Sequence, residues 1–251
     1  MFLTTLVTDY AGENQAIMTN LTTSEAFLMV IIVGVVGMIV QWRLRSVVSK
    51  YSQEPLPAGF TGAAIARRML DAYGIHNVSI VHTGGYLTDH FNPATMTVNL
   101  SDEVYNGRSI TAAAIACHEC GHAVQHAQGY APLRMRSALV PLVNFSSQAA
   151  SWLIIIGLIM TASSGSQLMC WIGVGLMCVS ALFSIITLPV EYNASDRALE
   201  WLESSRILVG EELEGARISL RWAARTYLVA ALSAIASILY YVALINGRRR
   251  D

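Results

Sequence analysis

The chain has 251 residues, 54% of them hydrophobic and 13% charged, about half the charged share of an ordinary soluble domain. That composition excludes a disordered or all-polar protein, and a net charge of -1 leaves no global basic field to hold nucleic acid. Four cysteines are too few for a disulfide scaffold in a chain this long.

Residues 1–25 form a largely polar N-terminal segment with no Lys or Arg. It lacks the basic start of a secretory signal, so a retained anchor is expected after it. Three stretches then carry no charge: Ala26–Trp42, Ser137–Val190 and Thr226–Gly247, of 17, 54 and 22 residues. A bilayer core takes about 20 apolar helical residues. The first and third stretches therefore predict single spans, at 26–42 and 226–247. The middle one predicts a hairpin of two spans over 146–189, broken at Ser163–Gln167. Four helices of a soluble core are the alternative, but so few charges would leave little polar surface to cover them.

Lys and Arg set the expected orientation. Ten basic residues, among them Arg43, Arg45, Arg134, Arg136 and Arg197, flank the spans on one side. Arg248, Arg249 and Arg250 argue for the other. The majority places residues 43–136 and 191–225 in the cytoplasm.

Residues 51–136 are the one polar stretch long enough for a lobe. Thr61–Tyr73 has helical spacing with a Thr cap candidate and a following Gly74. Asn77–His82 and Thr95–Leu100 read as strands, with Asn92–Pro93 in a turn. After Asn106–Gly107, Ser109 caps a helix expected to run to about Ala127, ending near Gly129 and Pro132. The fold expected is thus an α+β integral membrane protein, mainly helical, with four transmembrane helices and a small zincin-like lobe. A helical segment over 190–225 precedes the last span.

The helix after Ser109 carries His118–Glu119–Cys120–Gly121–His122. Side chains four apart leave one helical face, so both imidazoles can converge on one ion, and that pairing suits Zn²⁺. Glu119 points about 100° away from His118, where its carboxylate can take a proton from a metal-activated water. This is the H-E-x-x-H arrangement of metalloproteases. The bland reading is a chance pair of histidines on an amphipathic helix, which six His in the whole chain make improbable. Cys117 and Cys120 overlap the motif as C-x-x-C and raise a redox or thiolate-metal rival. Cys120 leaves the helix about 200° around from His118, and no second C-x-x-C exists, so packing is the expected role of both.

A catalytic zinc usually takes three protein ligands. Val124 and Gln128 exclude the metzincin pattern, and His126 lies about 12 Å up the helix axis, too far to share the site. Glu191 is the first charge after the 54-residue stretch. A hairpin that crosses twice returns it to the side of His118 and His122, so topology permits ligation. The alternative is a charge complementing a helix N-terminus just after Pro189. Glu200, Glu203 and the Glu211, Glu212, Glu214 cluster read as solvated faces.

Five stretches carry a resemblance: Leu87–Pro93, Leu100–Ser109, His118–His122, Gly129–Arg134 and Leu188–Ser195. With them the chain resembles the YugP-like family of prokaryotic membrane zinc metallopeptidases, a gluzincin-type group distantly similar to HtpX and CAAX-processing membrane proteases. The likeness spans roughly residues 26–250. It implies His118, His122 and Glu191 as ligands of one catalytic zinc, Glu119 as general base, and a place in the prokaryotic cytoplasmic membrane. HtpX-type relatives carry Asp four residues after the ligand Glu. This chain has Ser195 there, with Asn193 and Asp196 nearby, so the partner orienting a ligand imidazole is open among the three.

The expected activity is zinc-dependent hydrolysis of peptide bonds in membrane or membrane-proximal proteins. The strand Thr95–Leu100 is the expected edge for pairing with substrate, and His90 and Tyr192 are candidates to stabilise the oxyanion. The partners expected are the bilayer and polypeptide substrates, without nucleic acid. Two other classes compete. A zinc-binding transporter should place ionisable residues within the apolar stretches, and the longest has none. A structural scaffold should show a fourth protein ligand.

Overall fold

The computed structural model describes residues 21–57 and 59–247. The expected polar segment therefore lies outside the described residues over 1–20, as do Arg248–Arg250. In chain order the elements are α1 Thr23–Ser52, α2 Gly62–Ala72, β1 Ser79–Thr83, β2 His90–Asn92, β3 Thr97–Ser101, α3 Asp102–Tyr105, α4 Ile110–Ala127, α5 Ala131–Ser164, α6 Leu168–Ser204 and α7 Gly210–Gly247. The described residues are mostly helical, with one small sheet.

Four helices, α1, α5, α6 and α7, are long and apolar enough to cross a bilayer. Their most apolar windows are only 11% buried in α1 and 22% buried in each of the others. Phe27, Ile32, Met38, Trp152 and Ile159 stand exposed along them, which is what a lipid-facing surface requires. The helices run on past the charge-free stretches. At 37 residues, α6 is about 55 Å long, well beyond the roughly 30 Å of a hydrocarbon core. Its C-terminal part and that of α1 thus enter the polar portion of the chain without a break, and α7 begins there.

Contacts divide the chain into two units. One comprises the described residues of 1–36, 144–181 and 232–251. Within it α5 and α6 approach closely. A Cβ on Gly157 would stand 2.5 Å from the Cys170 nitrogen, and one on Gly173 would stand 2.6 Å from Ile154 Cγ1. The α5–α6 turn falls at residues 165–167, inside the expected break, and Gly165 supplies its positive φ of 72°.

The other unit, residues 37–143 and 182–231, holds the sheet and the remaining helices. Thr61 and Ser109 cap α2 and α4 as expected, each accepting through its hydroxyl from a backbone N–H three residues on. Ile65, Met69 and Leu70 of α2 share a core with Val98 and Leu100 of β3, Val124 of α4 and Leu202 of α6. The strand order is β1-β3-β2, with β1 parallel and β2 antiparallel to β3. This corrects the expected sheet. Thr97–Ser101 is the central strand, not an edge, because His90–Asn92, read as the approach to a turn, pairs with its far side. Pro132 does not merely follow α4; it sits in the first turn of α5, where a missing N–H costs nothing.

Candidate metal centre

His118 and His122 leave α4 on the same face, their ring centroids 4.8 Å apart at an interplanar angle of 82°. Glu191 meets them from α6. Its Oε2 lies 3.2 Å from His118 Nε2 and 3.6 Å from His122 Nε2. All three ligand atoms fall within 4.8 Å of one another. Tetrahedral bonds of about 2.0–2.1 Å set ligand atoms about 3.4 Å apart, so the two measured distances bracket the spacing a zinc ion needs. Glu191 is buried at 2% exposure, and its Oε1 has no hydrogen-bond partner; Arg136 approaches it only to 3.6 Å. A buried carboxylate left half satisfied between two imidazoles calls for a cation. The residues present therefore fit a divalent ion. Glu191 is not at a helix N-terminus, since Pro189 lies inside the continuous α6; the alternative role as a charge beside that terminus is thus removed.

What lets the two helices come so close is Gly121, between the histidines. A Cβ there would stand 2.6 Å from the carbonyl oxygen of Ala194. Only a residue without that atom allows the backbone of α4 to lie on the turn of α6 that carries Glu191.

Each imidazole is aimed by its other nitrogen. With Nε2 left for a metal, His118 Nδ1–H donates to Ser195 Oγ at 3.1 Å, and His122 Nδ1–H donates to Gln125 Oε1 at 3.0 Å. The fully buried Gln125 then donates from Nε2 to Val190 O at 2.8 Å and to Asn193 Oδ1 at 3.0 Å. Arg197 holds Asn193 in turn. The question left open by sequence thus resolves onto Ser195 for His118, while Asn193 acts through Gln125. Asp196 is exposed and takes no part. Burial disfavours charge on His122, but the Glu191 and Glu119 carboxylates outweigh it and raise its pKa above the usual histidine value. The pocket attracts positive charge.

Glu119 is buried at 8% exposure, and its Oε2 accepts the Phe91 N–H at 3.0 Å. Strand β2 thereby fixes the carboxylate. Next to it, Asp89 accepts from the Ser101 N–H at 2.7 Å and hydroxyl at 3.0 Å. Burial pushes the Asp89 pKa up in spite of those bonds. Two cavities adjoin the cluster, of about 200 and about 400 Å³. Both are lined by Asp89, Glu119, Glu191 and Tyr227. His90 and Arg136 line the larger one, while Tyr192 is exposed and lines neither. Tyr227 and Arg136 escaped the sequence reading as site residues, Tyr227 because it lies inside the apolar stretch 226–247 and Arg136 because it counted only toward orientation. Cys117 and Cys120 are fully buried in the core, where desolvation raises both thiol pKa values. Packing is their role, as expected. His126 is exposed and rests against the Phe91 ring, 5.7 Å between centroids, outside the cluster.

Residues 26–246 match the family model described as "Putative neutral zinc metallopeptidase". The chain belongs to this family. It is a zinc metallopeptidase by that membership, with zinc as its cofactor. The chain is also 40% identical over 209 residues to a Bacillus subtilis (strain 168) protein named "Putative membrane protease YugP". That match covers 83% of this chain and 91% of the relative. No solved structure matches it.

Proposed function

We propose that the protein is an integral membrane endopeptidase in which His118, His122 and Glu191 hold one zinc ion and Glu119 is the general base. The observation that carries this reading is the convergence of two imidazoles and a buried, half-satisfied carboxylate, with a second carboxylate held beside them. Bound zinc supplies a Lewis acid that lowers the pKa of water and polarises a carbonyl. Glu119, anchored through Oε2, takes the proton of the attacking water on Oε1. As the peptide C–N bond breaks, it delivers that proton to the departing amine. Tyr227 and Arg136, which line the cavity beside Glu119, would donate to the oxyanion. The free edge of β2 beside Glu119 offers backbone pairing to an extended substrate.

The four apolar helices span the cytoplasmic membrane in this reading, and the positive-inside bias puts the unit with the metal centre on the cytoplasmic side. Substrates are then membrane proteins or membrane-proximal segments, since the cavities are lined by ends of the spanning helices. A transporter is disfavoured because 146–189 contains no ionisable Asp, Glu, Lys, Arg or His. The deciding experiment is Glu119→Gln. It should keep the fold and about one zinc per chain while cleavage of casein or a membrane-protein substrate falls by at least 10²–10⁴-fold. Cleavage at the wild-type rate would overturn the hydrolase reading.

A further inference from the structure

The two cavities beside Glu119 differ in chemistry as well as volume. The larger, about 400 Å³, has polar groups from His90, Arg136 and Ser137 beside the apolar Phe91, Leu133 and Val140. The smaller, about 200 Å³, is walled by Leu44 and Val48 of α1, Ile115 of α4, and Leu220, Ala223 and Ala224 of α7. Because both contain Asp89, Glu119, Glu191 and Tyr227, they meet at the groups that would act on the scissile bond. A chain lying across that meeting point puts one flank into the smaller, more apolar chamber and the other into the larger one, where Arg136 and His90 stand among the apolar side chains.

Building on the hydrolase reading above, we propose that the smaller cavity is a substrate subsite. It receives one large apolar side chain, Leu, Met or Phe, from the residue directly on one side of the cleaved bond. The volume sets the upper size. An engineered apolar cavity of about 150 Å³ takes up benzene, so about 200 Å³ accommodates a leucine or a phenyl ring and little more. The depth comes from residues with no side chain beyond Cβ: Ala223 and Ala224 leave the space that larger residues on α7 would fill. Ile115, half-buried one turn before Glu119, narrows the chamber. Leu87 adds an exposed apolar side chain to the lining. Selectivity arises from apolar burial. One methylene in such a pocket discriminates by about 10–200-fold, so Leu over Ala should amount to at least about 10²-fold in kcat/KM.

The test is sequencing of the products formed from a randomised peptide library by the full-length, zinc-loaded protein in detergent, with Glu119→Gln as the blank. Wild type should enrich Leu, Met and Phe at one of the two positions flanking the cut by about 10²-fold over Ala, and leave the other position broad. Ala223→Leu should move the preference at that position to Ala, Gly and Ser, and Ile115→Ala should widen it to Trp; zinc content and thermal melting establish that each variant is folded. A flat distribution at both positions, or a wild-type preference that survives both substitutions, overturns the subsite while leaving the hydrolase reading standing. If no cut depends on Glu119, the hydrolase reading fails and the subsite falls with it.

Discussion

Replacing Gly121 by Ala adds one carbon to the middle of α4 and alters no ligand. In an exposed helix interior the exchange stabilises, since Ala is favoured over Gly by about 1 kcal/mol. Here the new Cβ would sit 2.6 Å from Ala194 O, against 3.4 Å for ordinary contact. The turn of α6 must therefore retreat by about 0.8 Å, and the obstacle is backbone, which does not swing aside. If the turn moves as a body, the Glu191 Oε2 to His118 Nε2 distance grows from 3.2 Å to about 4 Å, past the spacing of about 3.4 Å that a tetrahedral zinc sets. Overpacking of this kind costs about 1–3 kcal/mol. Zinc affinity should fall by about 10–100-fold, the range seen when the groups that orient ligands are disturbed. Competition with a chromophoric chelator measures the affinity, and melting of the metal-free protein measures the stability. A Gly121→Ala protein that melts higher than wild type and binds zinc equally well would refute the close-approach argument.

Other substitutions probe separate parts of the same structure. Gln125→Leu removes the acceptor of the His122 Nδ1–H and should weaken zinc binding by about 10–100-fold, as chelator competition would show. Leu100→Ala, in the fully buried centre of β3, should lose about 2–5 kcal/mol in denaturant melts without changing the zinc stoichiometry. Ser109→Ala removes the cap of α4 and should lose about 0.5–2 kcal/mol by the same measure. Stripping the metal should lower the melting temperature, and adding it back should raise stability with the logarithm of free zinc: at 1,000 times its Kd it adds about 4.1 kcal/mol, measurable by differential scanning calorimetry.

Much of this was legible from residue order alone. Absence of charge marked the four apolar helices, because lipid tolerates almost none. The hydroxyls of Thr61 and Ser109 marked the starts of α2 and α4. The four-residue spacing of His118 and His122 named a metal before any coordinates did, and Glu191 stood out as the first charge after 54 residues. What stayed hidden depends on contacts between distant segments. Strand β2 is three residues long, too short for a period of two to register, and it exists because β3 offers it a partner. Gln125 looks like an ordinary polar residue of α4 until α6 closes over it. Tyr227 belongs to the uninterrupted α7, so no boundary or motif draws attention to it. Asp196 had the right chemistry to orient an imidazole, but it falls on the outer face of α6, whereas Ser195 faces inward.

Which atoms hold the metal decides the chemistry, and X-ray absorption at the zinc edge of the loaded protein reads them directly. The expected first shell is nitrogen and oxygen at about 2.0–2.1 Å with the multiple-scattering signature of two imidazoles, and Glu191→Ala should lose one light scatterer while both imidazoles remain. Sulfur at about 2.3 Å would instead place the ion on Cys117 or Cys120 and contradict the assignment.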